Sequence, residues 1–98
     1  MSLEQYEQEE RRLVILRLLA EDSDYSKNSS LLERSLELYA LSVSRDRLHT
    51  ELVWLAEQGL ITAETMNSVM VVKLTQRGLD VSKGRAQVPG VKRPGPGA

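Results

Sequence analysis

The chain has 98 residues, 41% hydrophobic and 28% charged, with a formal net charge of −1, one histidine and no cysteine. That length makes one domain rather than two, and the missing cysteine excludes disulfides, thiolate metal ligands and a cysteine nucleophile. Only 4% of residues are aromatic and phenylalanine is absent, so Leu, Val and Ile must build a thin core, of the kind that gains stability by dimerising.

A first helix is predicted from about Leu3 to Glu21, a stretch of good helix formers without Gly or Pro. Its start carries Glu4, Glu7, Glu9 and Glu10, the opposite of the basic start of a signal peptide. Its second half, Leu13 to Ala20, is apolar at nearly every position, so at roughly 100° per residue its side chains point all round the axis. Either later helices wrap it, or it carries a subunit interface through Leu13, Ile15 and Leu19. The longest apolar run, Leu13 to Leu16, falls far short of the ~20 residues that span a bilayer. A soluble, cytoplasmic protein without a membrane partner is expected.

Asp22 to Ser29 reads as a loop, with a short extended piece at Tyr25-Ser26-Lys27. Ser30-Leu31-Leu32-Glu33 has the spacing of a capping box ahead of a second helix running to about Ala40. On that helix Leu31, Leu32, Ser35, Leu38 and Tyr39 share one broad side. After the break Leu41-Ser42-Val43, Ser44 caps a third helix from Arg45 to about Gln58. Leu48, Leu52 and Leu55 form its inward stripe, and Gly59 stands where a helix stops.

The period then changes from helical to two. Leu60–Thr65 and Ser68–Leu74 are predicted strands around a turn near Met66-Asn67-Ser68. In the second strand Met70, Val72 and Leu74 share one face, and Val69, Val71 and Lys73 the other. Thr75 caps a short last helix to about Lys83, which Gly78 weakens. Residues 1–84 thus make one domain. Residues 85–98, with Pro89, Pro94 and Pro96 among Gly90, Gly95 and Gly97, are expected to be a disordered basic tail.

Val43-Ser44-Arg45-Asp46-Arg47-Leu48, Glu51-Leu52 and Leu55-Ala56-Glu57-Gln58-Gly59-Leu60-Ile61 resemble the recognition-helix-to-wing passage of winged helix-turn-helix regulators with an ArsR/MarR-like plan. Leu74-Thr75-Gln76-Arg77-Gly78 resembles the wing-to-last-helix passage of the same superfamily. The likeness covers roughly Glu10 to Gly84, and the short overall plan also resembles the small winged-helix proteins of Mu-like prophages. It implies a mainly α fold with a three-helix core, a two-stranded wing and a short C-terminal helix. Metal-sensing members of the ArsR group use cysteine or clustered histidine ligands. This chain has none of the first and one of the second, so no metal and no cofactor is expected.

In the implied fold the third helix enters the major groove of double-stranded DNA. Setting Leu48 inward turns Asp46, Thr50, Val53, Trp54 and Glu57 outward, with Arg47 and His49 on the flanks. Ser44, Arg45, Arg47, His49 and Thr50 are the candidate DNA contacts. Lys83 and Arg85 are candidate phosphate contacts, because residues 61–98 carry six basic groups against two acids. Asp46, Val53, Trp54 and Glu57 are nonetheless poor chemistry for a polyanion, and the whole chain is not strongly basic. An interaction module that binds protein through Val53, Trp54 and the hairpin, such as a phage assembly or packaging accessory, is the alternative to a phage-type regulator. Trp54 packs against the wing, anchors a protein interface or stacks on nucleic acid. No Gly-x-Ser-x-Gly, His-Glu-x-x-His, phosphate-loop or dinucleotide motif is present, so no catalytic activity is expected.

Overall fold

Nineteen residues of good helix formers, Leu3–Glu21, make the central helix α1 of the computed structural model, which describes residues 1–95. Ser2 and Gln5 close a reciprocal capping box at its start: Gln5 N donates to Ser2 Oγ at 3.1 Å and Ser2 N to Gln5 Oε1 at 3.2 Å. The apolar half of α1 is buried on all sides, with Ile15, Leu16 and Leu19 fully enclosed and Leu13 2% exposed. Leu13, Ile15 and Leu19 are therefore core side chains and not an exposed subunit face. The helix is apolar all round because the rest of the same chain wraps it.

The other elements follow as β1 (Ser26–Asn28), α2 (Ser29–Leu38), α3 (Arg45–Glu57), β2 (Ile61–Met66), β3 (Val69–Leu74) and α4 (Gln76–Ser82). Among the described residues the result is a mixed α/β domain of four helices and one antiparallel three-stranded sheet of order β1-β3-β2. The expected two-stranded hairpin is thus one strand short. Ser26, Lys27 and Asn28 pair with Lys73, Val72 and Val71, a partnership that three polar residues without alternation do not announce. In β3, Met70, Val72 and Leu74 point into the core as the two-residue period requires.

Helix α2 starts two residues earlier than the Ser30 capping box would have it. Asn28 is the cap, accepting from Leu31 N at 2.8 Å, while Ser29 is buried and its Oγ accepts from Met70 N at 3.1 Å. This turns the helix, so Leu32 and Leu36 enter the core while Leu31, Leu38 and Tyr39 stay exposed. Leu36, not Leu38, is the second anchor. The helix closes on Ala40 in the left-handed region (φ 57°), where Leu41 N reaches back to Leu36 O at 3.0 Å.

The last helix is joined closely to the end of α3. Thr75 caps α4 by accepting from Gly78 N at 3.0 Å, and its Oγ1 donates to Gly59 O at 2.7 Å. A Cβ on Gly78 would stand 2.0 Å from Leu60 O and 2.6 Å from Leu74 Cδ1. The glycine that weakens α4 by propensity is therefore required by packing.

Residues 85–95 are folded, against the expectation of a disordered tail; Pro96, Gly97 and Ala98 of that tail lie outside the described residues. Val88-Pro89-Gly90-Val91 forms a turn in which Val91 N donates to Val88 O at 3.1 Å and Gly90 takes φ 98°. Pro then Gly at the two central positions is what a type II turn asks for. It swings Val88 and Val91 into the core at 5% and 9% exposure. Composition pointed to disorder, but two valines spaced by a Pro-Gly turn are enough to seat the segment.

Gly78→Ala should lower the unfolding free energy by about 1–3 kcal/mol, the usual cost of forcing extra atoms into a packed contact. A urea titration checks this; an unshifted midpoint would show that Leu60 and Leu74 give way freely.

Candidate nucleic-acid interface

Helix α3 is the element on which most candidate contacts lie, and its ends are fixed locally. Ser44 Oγ accepts from Arg47 N at 3.1 Å, satisfying one of the free first-turn donors. At the other end Gly59 N donates to Ala56 O at 3.0 Å and Leu60 N to Leu55 O at 3.1 Å, with Gly59 at φ 75°. This double closure is the Schellman arrangement. Leu48, Leu52 and Leu55 are fully buried, as expected.

The opposite strip, Asp46, Thr50, Val53 and Glu57, is exposed, with Val53 at 49%. Thr50 Oγ1 donates to Asp46 O at 3.2 Å. The strip itself carries two carboxylates and no cation. The cations stand on its flanks. Arg45 is exposed on the sheet side and donates from Nη2 to Ser68 O in the β2–β3 turn, which brings the start of α3 beside the hairpin tip. Arg47 is half-buried on the α1 side. His49 is half-buried as well, with Nε2 enclosed and unpartnered among the described residues.

The neighbours of Trp54 that decide its setting lie on α1 and in the C-terminal segment. Trp54 is half-buried on the α1 side, with the Arg12 guanidinium 3.8 Å from its ring centroid and Gly90 against its edge. Beneath it lies a charged junction of α1 and α3. Glu51, only 1% exposed, pairs through Oε1 with Arg12 Nη2 at 3.3 Å, while its Oε2 finds no partner among the described residues. Arg12 Nη1 donates to Gly90 O at 2.9 Å. One terminal atom of the Gln8 amide lies 3.0 Å from Arg47 Nη2, 3.2 Å from Arg12 Nη2 and 3.4 Å from Glu51 Oε1. With two guanidinium donors nearer than the carboxylate, that atom is the amide oxygen. Arg11 Nε donates to Leu41 O at 2.9 Å. Burial holds the Arg11 guanidinium below its ordinary pKa, and the Glu51 carboxylate pulls it back up.

This junction is what the sequence reading missed. Its signal was present: Glu51 falls on the same side of the helix as Leu48 and Leu55, a charge inside an apolar stripe. The two remaining candidates lie elsewhere. Lys83 closes α4, and Arg85 is exposed with Asp80 as its partner at 3.7 Å; their contacts are with α4, not α3. Among the described residues no group of His, Cys, Asp and Glu is arranged to hold a metal, and no helix is long and apolar enough to cross a membrane.

No family model matches the chain. Protein gp26 of Escherichia phage Mu, an uncharacterized protein, is 51% identical over 90 residues, covering 92% of this chain and 93% of gp26. The chain belongs to the gp26 family. An uncharacterized protein of Haemophilus influenzae (strain KW20 / Rd) is 40% identical over 95 residues, 91% of this chain and 92% of that protein. Among solved structures, the complex structure of hsRosR-S1 is similar with a TM-score of 0.61 at 25% identity, over 85% of this chain and 67% of that one. The complex structure of hsRosR-S4 gives 0.57 at 22% identity, over 92% and 79%, a likeness of fold.

Glu51→Ala should destabilise the protein by about 3 kcal/mol, because it leaves a buried guanidinium without its carboxylate. Replacing both partners, Arg12→Met with Glu51→Leu, should cost much less. Chemical denaturation of the two variants compares them directly, and equal losses would assign the effect to packing instead of charge.

Proposed function

We propose that this chain is a small winged helix-turn-helix protein that binds double-stranded DNA as a phage-type transcriptional regulator, without catalytic activity. The observation that carries the reading is the pairing of a capped, half-exposed α3 with a hairpin at its start, on a chain path similar to the winged-helix RosR structures. In this reading the first turn of α3 approaches the major groove. Ser44 and Arg45 hold phosphates there, Thr50 reaches a base edge, and Arg47 and His49 support from the flanks. Lys83 and Arg85 add phosphate contacts from the end of α4. So few cations give one copy a small counterion-release term, and the reading therefore has two copies on the duplex. Leu3 and Tyr6, exposed on the first turns of α1, are left as apolar surface for pairing, since Leu13, Ile15 and Leu19 are occupied.

A second reading is favoured by the strip itself. Asp46, Val53 and Glu57 face outward and Met66 is 58% exposed at the hairpin tip, a surface better matched to a protein than to a polyanion. On that reading Val53→Asp abolishes capture of a phage-encoded partner, and the wild type ignores DNA.

Fluorescence anisotropy with a random duplex pool separates the two. Binding at low salt should weaken steeply as salt is added, and Arg45→Glu should cost about tenfold in affinity for one lost charged contact. A wild type that binds no duplex at low salt overturns the first reading.

A further inference from the structure

The segment after α4 is held from α1, from α3 and from the end of α4, where Pro94 lies against Gly84, and within itself by Gln87 facing Arg93. Arg85 N donates to Asp80 O at 2.8 Å and continues the end of α4. Beyond it, Val88 and Val91 are buried, Gly90 O accepts from Arg12, and Lys92 N donates to Glu9 O at 3.1 Å. Lys92 Nζ lies 3.8 Å from Glu10 Oε1 and 5.2 Å from the Tyr6 ring centroid. A hollow of about 430 Å³, open to solvent on one side, lies between the segment, Val81 and Glu9. Gly84, at φ 80°, begins it.

What the segment covers is chemically distinct from the rest of the α3 surface. Gly90 sits so close that a Cβ there would be 2.9 Å from Arg12 Nη1 and from Trp54 Cζ2 and Cη2. Arg12 is 8% exposed and Trp54 half-buried, with Gly90 against both. The adjoining strip of Asp46, Thr50, Val53 and Glu57 has no cation of its own. Cations that are to meet phosphate beside α3 must come from its flanks.

We propose that residues 85–95 form a releasable strap that masks Arg12 and Trp54 on the flank of α3, and that its opening strengthens duplex binding. The second half of this statement rests on the DNA-binding reading above; the first does not. Two valines, one side-chain hydrogen bond and one backbone hydrogen bond to α1, a surface ion pair, and the contacts of Lys92 with Tyr6 and of Pro94 with Gly84 place the strap at the low-stability end of the domain. Its opening leaves Arg12 paired to Glu51 through Nη2 and frees Nη1 together with the edge of Trp54. Arg12 and Arg47, already bridged by Gln8, then present two guanidiniums and an indole beside the cation-free strip.

The test uses the full chain, as wild type and as Gly90→Ala, with amide hydrogen exchange and duplex anisotropy at low salt. In the wild type the hydrogen-bonded amides of Val91 and Lys92 should exchange faster than those of Leu52 and Leu55 in α3. In Gly90→Ala the strap amides should lose protection while α3 keeps it. Duplex affinity should rise about tenfold, the yield of one added charged contact. Strap amides as protected as α3 in the wild type overturn the strap. A wild type that binds duplex and a Gly90→Ala that binds no tighter overturn the masking. If Gly90→Ala loses protection in α3 as well, Val91→Ala, which loosens the strap without touching Arg12 or Trp54, takes its place with the same criteria. Absence of duplex binding in every variant sinks the DNA-binding reading and the masking with it, and the exchange data still decide whether the strap opens.

Discussion

Arg12 and Glu51 meet where α1 crosses α3, and almost no water reaches either side chain. Two charges taken out of water are costly, and the attraction between them offsets that cost only when further hydrogen bonds satisfy the rest of both groups. Here Arg12 is met from three directions, while Arg12 Nε and Glu51 Oε2 have no partner among the described residues. Trp54 offers its ring face to the guanidinium, Gly90 offers a carbonyl from the C-terminal segment, and Gln8 joins Arg12 to Arg47. One ion pair thus ties the central helix, the exposed helix and the last described residues into a single arrangement. Together with the leucine stripe, this pair holds the rotation of α3 about its axis.

That rotation decides what α3 can present. With Glu51, Leu48, Leu52 and Leu55 inward, Arg47 and Trp54 are drawn toward α1 and Arg45 toward the hairpin, which leaves Asp46, Thr50, Val53 and Glu57 outermost. The helix therefore separates its cations from its most exposed strip. A polyanion approaching the strip meets carboxylates first and finds positive charge only at the edges. This is an electrostatic constraint on any partner: the outermost strip of α3 is negative and positive charge stands only beside it.

Much of the architecture was legible because it rests on local rules. Ser44 before an apolar period, Gly59 after it, and the alternation of Met70, Val72 and Leu74 each specify a boundary or a face through a neighbour only a few residues away. The misreadings came where a distant partner intervened. Ser29 is drawn inward by the Met70 amide, which makes Asn28 the cap and turns Leu36 rather than Leu38 into the core. Gly78 looked like a weak helix residue and is a close contact with Leu60. Pro89 and Gly90 looked like disorder and are a turn that buries two valines. For the candidate site, the sequence placed Thr50 on the accessible side of α3, but not the exposure of Arg45, its engagement with Ser68 or that of Trp54 with Arg12.

By itself the sequence determined the order of elements, the caps and the inward faces of α3 and β3, since these depend on hydrogen bonds and periodicities spanning a few positions. Tertiary structure alone decided that α1 is a central core helix and not a subunit face, that Ser26–Asn28 becomes a third strand, and that the C-terminal segment closes over Trp54. Those outcomes depend on which surfaces far apart in the chain bury each other. A side chain such as Ile15 or Glu51 carries the same identity whether its cover is a neighbouring element, a second copy or solvent, and only the folded chain says which.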